Sequence, residues 1–169
     1  MDPTYVVKNA STIPSPALLV YLEKFNENTS SAIAIAGDVT RLRPHIKTHK
    51  TKQIVALQQE AGIEKFKCAT IADAEMLAQC GVKDIFLAYP MVGPNIIRFI
   101  KLCKTYPEAS FKVIVDDVRM AKALSDRAVE AHLTIEVLLD LDVGMHRTGI
   151  FSDEQAIVLY QEIDRLDGL

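Results

Sequence analysis

Apolar and polar positions along this chain fall into short blocks whose period changes in a regular order. Ala17, Leu18, Leu19 and Val20 form an apolar run behind Pro14 and Pro16, which predicts a strand over residues 15–21. Phe25, Thr29, Ile33 and Ala36 then recur at helical spacing before Gly37, so a helix is predicted over 23–37. From Leu42 the alternation becomes steady. Strands are predicted over 42–48, 65–69, 84–89, 111–115 and 134–142. Helices are predicted over 51–62, 72–81, 94–104, 118–131 and 153–167. Gly62 and Gly81 close the first two of these, and Pro94 stands in the first turn of the third.

Strands alternating with helices predict βα units on a parallel sheet. No linker or shift of composition interrupts the pattern, so a single domain is expected over 1–169. Two architectures compete, a doubly wound sheet and part of a (β/α)8 barrel. A doubly wound nucleotide-binding fold calls for a glycine-rich turn after an early strand. Neither GxGxxG nor GxxxxGK[ST] occurs in this sequence, which tilts the choice toward the barrel. A complete barrel takes about 250 residues, and these 169 residues supply about five barrel strands. The expected fold class is therefore α/β, the N-terminal portion of a (β/α)8 TIM barrel. Its later strands would be missing or supplied from elsewhere, and its open edges would need cover.

Composition narrows the function classes. A net charge of -3 with 49% hydrophobic residues fits an ordinary core and lacks the basic patch of a nucleic-acid binder. Residues 1–12 contain no apolar leader segment, and every apolar run falls far short of the roughly 18 residues a membrane span needs. Neither nucleic acid nor membrane is expected as a partner. Cys68, Cys80 and Cys103 are odd in number and lack CxxC spacing, so they are expected to be buried free thiols in a reducing, cytoplasmic setting. His132 and His146 have no metal-ligand spacing, and no metal site is expected in this segment.

Two polar clusters could carry chemistry. The first is Arg41 to Lys50, with Arg43-Pro44-His45-Ile46-Lys47-Thr48-His49-Lys50 at its heart. Read as a strand, it points His45, Lys47 and His49 to one face and Ile46 and Thr48 to the other. Active sites of barrels lie at the carboxyl ends of the strands, and a lysine in a partly dry site there is a competent amine for imine formation. The plainer alternative is a solvated basic loop. The second cluster is Asp140 to Gly149. Its preceding strand alternates Ile135, Val137, Leu139 and Leu141 against Glu136, Leu138, Asp140 and Asp142, placing carboxylates on the interior face. Gly144 and Gly149 suit a tight loop, from which Arg147 either turns back over the site or neutralises Asp140 or Asp142.

Five stretches, in this order and separation, resemble the fold-type III pyridoxal-phosphate (PLP) enzymes, the alanine-racemase-like barrels. They are SPALLV at 15–20, RPHIKTHK at 43–50, CAT at 68–70, DIFLAYPMVG at 84–93 and DVGMHRTG at 142–149. The PHxKTHK run is the most specific and matches the D-threonine aldolase / D-serine dehydratase branch. The resemblance implies that Lys47 is the Schiff-base lysine and a base on one face of the cofactor. It implies that Arg147 contacts the cofactor ring oxygen, with His45 and Thr70 in the ring's surroundings. Lys50, on the other strand face, is a poor candidate. Asp140 stands where alanine racemase has a lysine, which counts against simple racemisation.

The implied function is that of a PLP-dependent lyase on a small D-β-hydroxy amino acid, by aldol cleavage or by dehydration. A non-catalytic PLP-binding barrel protein is the alternative. Members of the family continue further, with a glycine-rich phosphate loop after the later strands and a C-terminal β domain. In this branch that β domain carries the His and Cys that bind a divalent metal, Zn or Mn. The chain is thus expected to be an incomplete barrel domain with the β domain absent, possessing half of an active site or being an inactive fragment. The full-length protein is expected to be a homodimer.

Overall fold

The computed structural model describes residues 5–169. Four strands form one sheet: β1 Lys65–Cys68, β2 Asp84–Leu87, β3 Ser110–Val115 and β4 Glu136–Leu139. They lie in the order β1-β2-β3-β4, and every neighbouring pair is parallel. The helices are α1 Leu22–Ala36, α2 Lys52–Glu60, α3 Ile71–Gln79, α4 Pro94–Thr105, α5 Val118–Glu130 and α6 Glu154–Ile163. Two short strands, β5 Leu141–Asp142 and β6 Ile150–Phe151, make a separate parallel pair. A doubly wound sheet reverses its strand order at a switch point. This sheet has no reversal, as a barrel wall requires.

Burial alternates with period two along β1 and β2 and through the first four residues of β3. Phe66 and Cys68 of β1, Ile85 and Leu87 of β2, and Phe111, Val113 and Val115 of β3 are all buried. The register sets Phe66 beside Ile85 and Ile85 beside Phe111, so these side chains form rows on one face. Leu77 of α3, Phe99 of α4 and Leu124 of α5 pack into the same core. Phe99 meets Phe111 edge to face, with ring centroids 6.2 Å apart.

The other face of the sheet carries charged side chains among Phe86, Ile114 and Leu138. Asp84 on β2 receives a two-pronged contact from Arg43, with Nη2 to Oδ2 at 2.9 Å, and Lys112 on β3 approaches its Oδ1 at 3.1 Å. Lys112 also lies 3.3 Å from Glu136 on β4. Burial alone would raise the Asp84 carboxyl, but the hydrogen bonds and charges of Arg43 and Lys112 outweigh it and hold the carboxyl below its ordinary value. A charge ladder thus spans the inner face near the amino ends of the strands.

Three expected strands differ from the structure. Residues 15–21 pair with no strand, and Leu18 stays 64% exposed. An apolar run becomes a strand only where a sheet edge accepts it, and this one meets none among the described residues. Residues 42–48 contribute a single bridge, His45 to Lys67, followed by a 3-10 turn over Ile46–Thr48. The cause is local. Pro44 has no N–H for a ladder, and the His45 ring Nδ1 accepts the Lys47 N–H at 3.2 Å, diverting it from a neighbouring strand. The shared face expected of His45, Lys47 and His49 therefore does not exist. The wall has four full strands and a bridge where about five strands were expected. The last predicted strand, 134–142, breaks at Asp140, whose N–H bonds Val115 O at 2.9 Å before the chain turns to pair β5 with β6. Alternation stops there, so Leu141 is 41% exposed rather than packed under helices.

All three cysteines are free; Cys68 and Cys103 are buried, while Cys80 is only partly so. Burial pushes the Cys68 and Cys103 thiols up to about 12. Among the described residues no helix is long and apolar enough to cross a membrane.

The buried rows carry the stability. Phe66→Ala is expected to cost about 3–5 kcal/mol, the range for removing a fully enclosed aromatic ring. Ile35→Ala, at a position 88% exposed, is expected to stay within about 0.5 kcal/mol. Urea unfolding midpoints of the two variants check this; equal shifts would refute the assignment of the core.

Candidate active site

Parallel strands deliver their carboxyl ends to one rim, and the segments that follow them build the site. The first segment reaches the rim through the His45–Lys67 bridge, reinforced by Lys67 N–H donating to Pro44 O at 2.9 Å. Ile46 then plunges into the core, fully buried, and fixes the 3-10 turn from below. The turn closes through the N–H groups of His49 and Lys50, which both reach Ile46 O, at 3.2 and 2.9 Å. With Ile46 pinned inward, Lys47 and Thr48 face outward and are exposed. His49 is partly buried; its Nδ1 accepts the Thr51 N–H at 3.1 Å, and burial lowers its pKa.

The two lysines of this turn have different surroundings. Lys50 Nζ lies 3.6 Å from Asp73 Oδ1, and Asp73 is only 5% exposed. Lys47 Nζ has no ion pair or hydrogen bond among the described residues. Beside it, the His45 ring is held below its ordinary pKa, first by burial and then by the ammonium groups of Lys47 and Lys67, with Asp73 opposing. A neutral ring also agrees with Nδ1 acting as an acceptor.

Thr70 follows β1 and caps α3, its Oγ1 accepting the Asp73 N–H at 3.1 Å. The Asp73 carboxylate reaches back to the Ala69 N–H at 3.4 Å. Thr70 and Lys50 thereby meet at Asp73, whose charge His45 also feels and which the sequence does not single out. The available signal was the spacing Thr70-x-x-Asp73, a variant of the capping box. That spacing accounts for the cap but gives no sign of Lys50.

Arg147 sits apart, on the loop between β5 and β6. Asp142 organises that loop: Oδ1 accepts the N–H groups of Gly144 and His146 at 3.0 and 2.9 Å, and Oδ2 lies 2.8 Å from His146 Nδ1. Gly149 closes it at φ +94°, where an added Cβ would lie 2.7 Å from the Asp142 nitrogen. The Gly149 N–H donates to Asp116 Oδ2 at 3.0 Å, tying the loop to the carboxyl end of β3. His146, not Arg147, is the partner of Asp142. Among the described residues the Arg147 guanidinium forms no ion pair, and no hydrogen bond joins it to the Lys47 turn. No group of three or more His, Cys, Asp or Glu among the described residues could hold a metal ion.

A family model, the alanine racemase N-terminal domain, matches residues 20–169. The chain belongs to this family. A D-threonine aldolase from Arthrobacter sp. is 30% identical over 160 residues, 93% of this chain and 41% of that protein. A D-threo-3-hydroxyaspartate dehydratase from Delftia sp. (strain HT23) is 28% identical over 149 residues, 88% of this chain and 39% of that protein. The crystal structure of D-threonine aldolase from Filomicrobium marinum superposes with a TM-score of 0.83 at 29% identity, over 93% of this chain and 42% of that one. This alanine racemase N-terminal domain thus spans about two fifths of the length of the relatives it matches.

In this domain the DVGMHRTG loop is held by a carboxylate, which makes it sensitive to acid. The backbone N–H groups of His146 and Gly144, and then the His146 ring, depress Asp142 from the ordinary 3.8 to about 2. A depressed carboxyl contributes order above its unfolded pKa and loses it as pH falls through the folded one. The loop is therefore expected to stay ordered above pH 3.8 and to loosen toward about 2. Carbon-13 NMR of the Asp142 carboxyl should show a midpoint near 2, with Gly144 and His146 amide protection lost in step. A midpoint at the ordinary value would show that the loop is not built this way.

Proposed function

We propose that this chain supplies the cofactor-holding lysine of a PLP-dependent lyase that acts on D-β-hydroxy amino acids. One observation carries the reading: at the carboxyl rim of the sheet, the turn that matches the PHxKTHK run presents Lys47 exposed and, among the described residues, unpaired. Its neighbour Lys50 is engaged by Asp73. The names of two relatives, D-threonine aldolase and D-threo-3-hydroxyaspartate dehydratase, support the substrate class. Both names describe D-amino acids with a hydroxyl at the β-carbon.

The residues present fit the cofactor. Lys47 offers a free amine for its aldehyde, and Arg147 a guanidinium with no other ion pair among the described residues. His45, kept neutral by burial and by flanking ammonium groups, adds an uncharged ring beside Lys47. When bound, PLP supplies an electron sink for the bond broken at the substrate α-carbon. The chain's own residues do the rest. Lys47 would hold the cofactor through its amine and would be the base placed to take a proton at the substrate α-carbon in a dehydration. Arg147 would offer its guanidinium to the cofactor ring. Thr70, fixed as the cap of α3, borders the site at the end of β1. Among the described residues no group of three or more His, Cys, Asp or Glu fits a divalent metal.

Incubation with PLP and reduction with borohydride should add the pyridoxyl mass to the peptide carrying Lys47. Lys47→Ala should abolish that label and reduce turnover of D-threonine or D-threo-3-hydroxyaspartate by at least about 10³-fold, the scale for removing a covalent catalyst. Label at Lys50, or turnover unchanged in Lys47→Ala, would sink the assignment. Label at Lys47 without turnover of any D-β-hydroxy amino acid would favour a non-catalytic PLP-binding protein.

A further inference from the structure

Lys50 occupies an awkward position. It ends the 3-10 turn with φ +48°, in the left-handed region that glycine commonly takes at such ends. A lysine there carries backbone strain, so something in the fold must hold it. The only charged partner it has among the described residues is Asp73, at 3.6 Å. Asp73 is itself unusual. A carboxylate 5% exposed in the first turn of α3 gains from the helix dipole and from the Ala69 N–H at 3.4 Å. That one long bond leaves most of its acceptor capacity to Lys50. The ion pair therefore links the end of the Lys47 turn to the cap of α3, across the carboxyl ends of two chain segments that no ladder joins beyond His45 and Lys67.

Resting on Lys47 as the cofactor-holding lysine, we propose that Asp73 is its positioning residue. Asp73 holds Lys50 by an ion pair, fixing the turn that presents Lys47 and keeping Lys50 out of the site. The device has two consequences. The turn 46–50 has the buried Ile46 at its start and, at its end, a lysine paired with the buried Asp73 of α3, so Lys47 is presented from a doubly anchored arch. The second amine, three residues on, is occupied and turned toward α3, so an aldehyde arriving at the rim meets one free lysine in this turn. The cap of α3 alone would explain Asp73 without Lys50, so the test must separate capping from clamping.

Two variants do so. Asp73→Asn keeps a side-chain oxygen for the Ala69 N–H and removes the charge. Lys50→Gly removes the ion pair and relieves the left-handed strain, leaving the cap and the fold intact. Each lysine is read separately by mass spectrometry after two treatments: PLP followed by borohydride, and acetylation by an N-hydroxysuccinimide ester.

In the wild-type protein, PLP should label Lys47, and acetylation of Lys50 should be slow. Asp73→Asn should raise the reactivity of Lys50 to both reagents roughly fivefold, the scale of a partly screened ion pair. It should also divert PLP label from Lys47. Lys50→Gly should slow labelling of Lys47 by a similar factor although the turn is unstrained. A helix cap alone would not move the Lys47 rate in Lys50→Gly. The inference is overturned if Lys50 acetylation is unchanged in Asp73→Asn, or if Lys47 labels at the wild-type rate in Lys50→Gly. The underlying reading fails separately, through wild-type protein that takes PLP at Lys50 or not at all; acetylation then still decides whether Asp73 clamps Lys50.

Discussion

Parallel pairing of strands in sequence order is the constraint on which the rest of this structure depends. Each βα unit must bring its next strand alongside the last in the same direction, so all carboxyl ends meet at one rim. Buried rows such as Phe66, Ile85 and Phe111 lock the register, because a slip of one residue would drive Lys65 and Lys67 into the core. The price of a wrong register is thus far greater than any local preference. The rim inherits its composition from that lock: whatever follows each strand arrives there, including the Lys47 turn, Thr70, Asp116 and Asp140.

The inner face shows the same constraint in electrostatic form. In the register that buries the aromatic rows, Lys67 falls beside Phe86, its Nζ 5.4 Å from the ring centroid, and Lys112 falls beside Glu136. Arg43 reaches across β1 to Asp84 and so ties the segment before Lys47 to the second strand. A segment with only one ladder bridge therefore has its lead-in held by a bidentate ion pair. Arg43, Asp84 and Lys112 are partly buried and Glu136 is exposed, and the worth of each pair is modest individually. Their role is to say which strand goes where, since a like-charge neighbour at any of these positions would oppose the pairing.

Much of this was legible in the sequence, and the exceptions have local causes. Strands β1 to β3 and helices α2 to α5 follow from period and punctuation because local preference and tertiary burial agree there, as at Gly81 after α3 or Pro94 opening α4. The first barrel strand was over-read. Periodicity detects alternation, whereas Pro44 and the His45 ring act on individual N–H groups and leave the pattern untouched. Residues 15–21 failed for the opposite reason, since the pattern holds but no sheet edge meets them among the described residues. At Asp140 the apolar alternation runs on to Leu141 while the backbone has already changed partner. In the site, Lys47 and the loop of Arg147 could be named from motifs. Asp73 could not, because its contact with Lys50 links two segments far apart in the sequence, while its local role as part of a helix cap is complete in itself.

The proposed preference for Lys47 over Lys50 rests on a different cause from strand alternation. Strand alternation separated them on paper, but the segment is a 3-10 turn, and the separation comes from Ile46 pinning the turn and Asp73 taking Lys50. The His45 ring shows what field results. Burial is the first cause of its lowered pKa; the ammonium groups of Lys47 and Lys67 lower it further, and one carboxylate, Asp73, opposes them. With Lys50 largely neutralised by Asp73, the surplus positive charge at this part of the rim belongs to Lys47 and Lys67. Such a surplus, beside a low-dielectric core, draws an anionic ligand toward the rim and disfavours protonation of neighbouring groups. A phosphate-bearing aldehyde and an amino-acid carboxylate are both anions of this kind. The same arrangement that leaves Lys47 unpaired thus also favours the approach of the molecules it would meet.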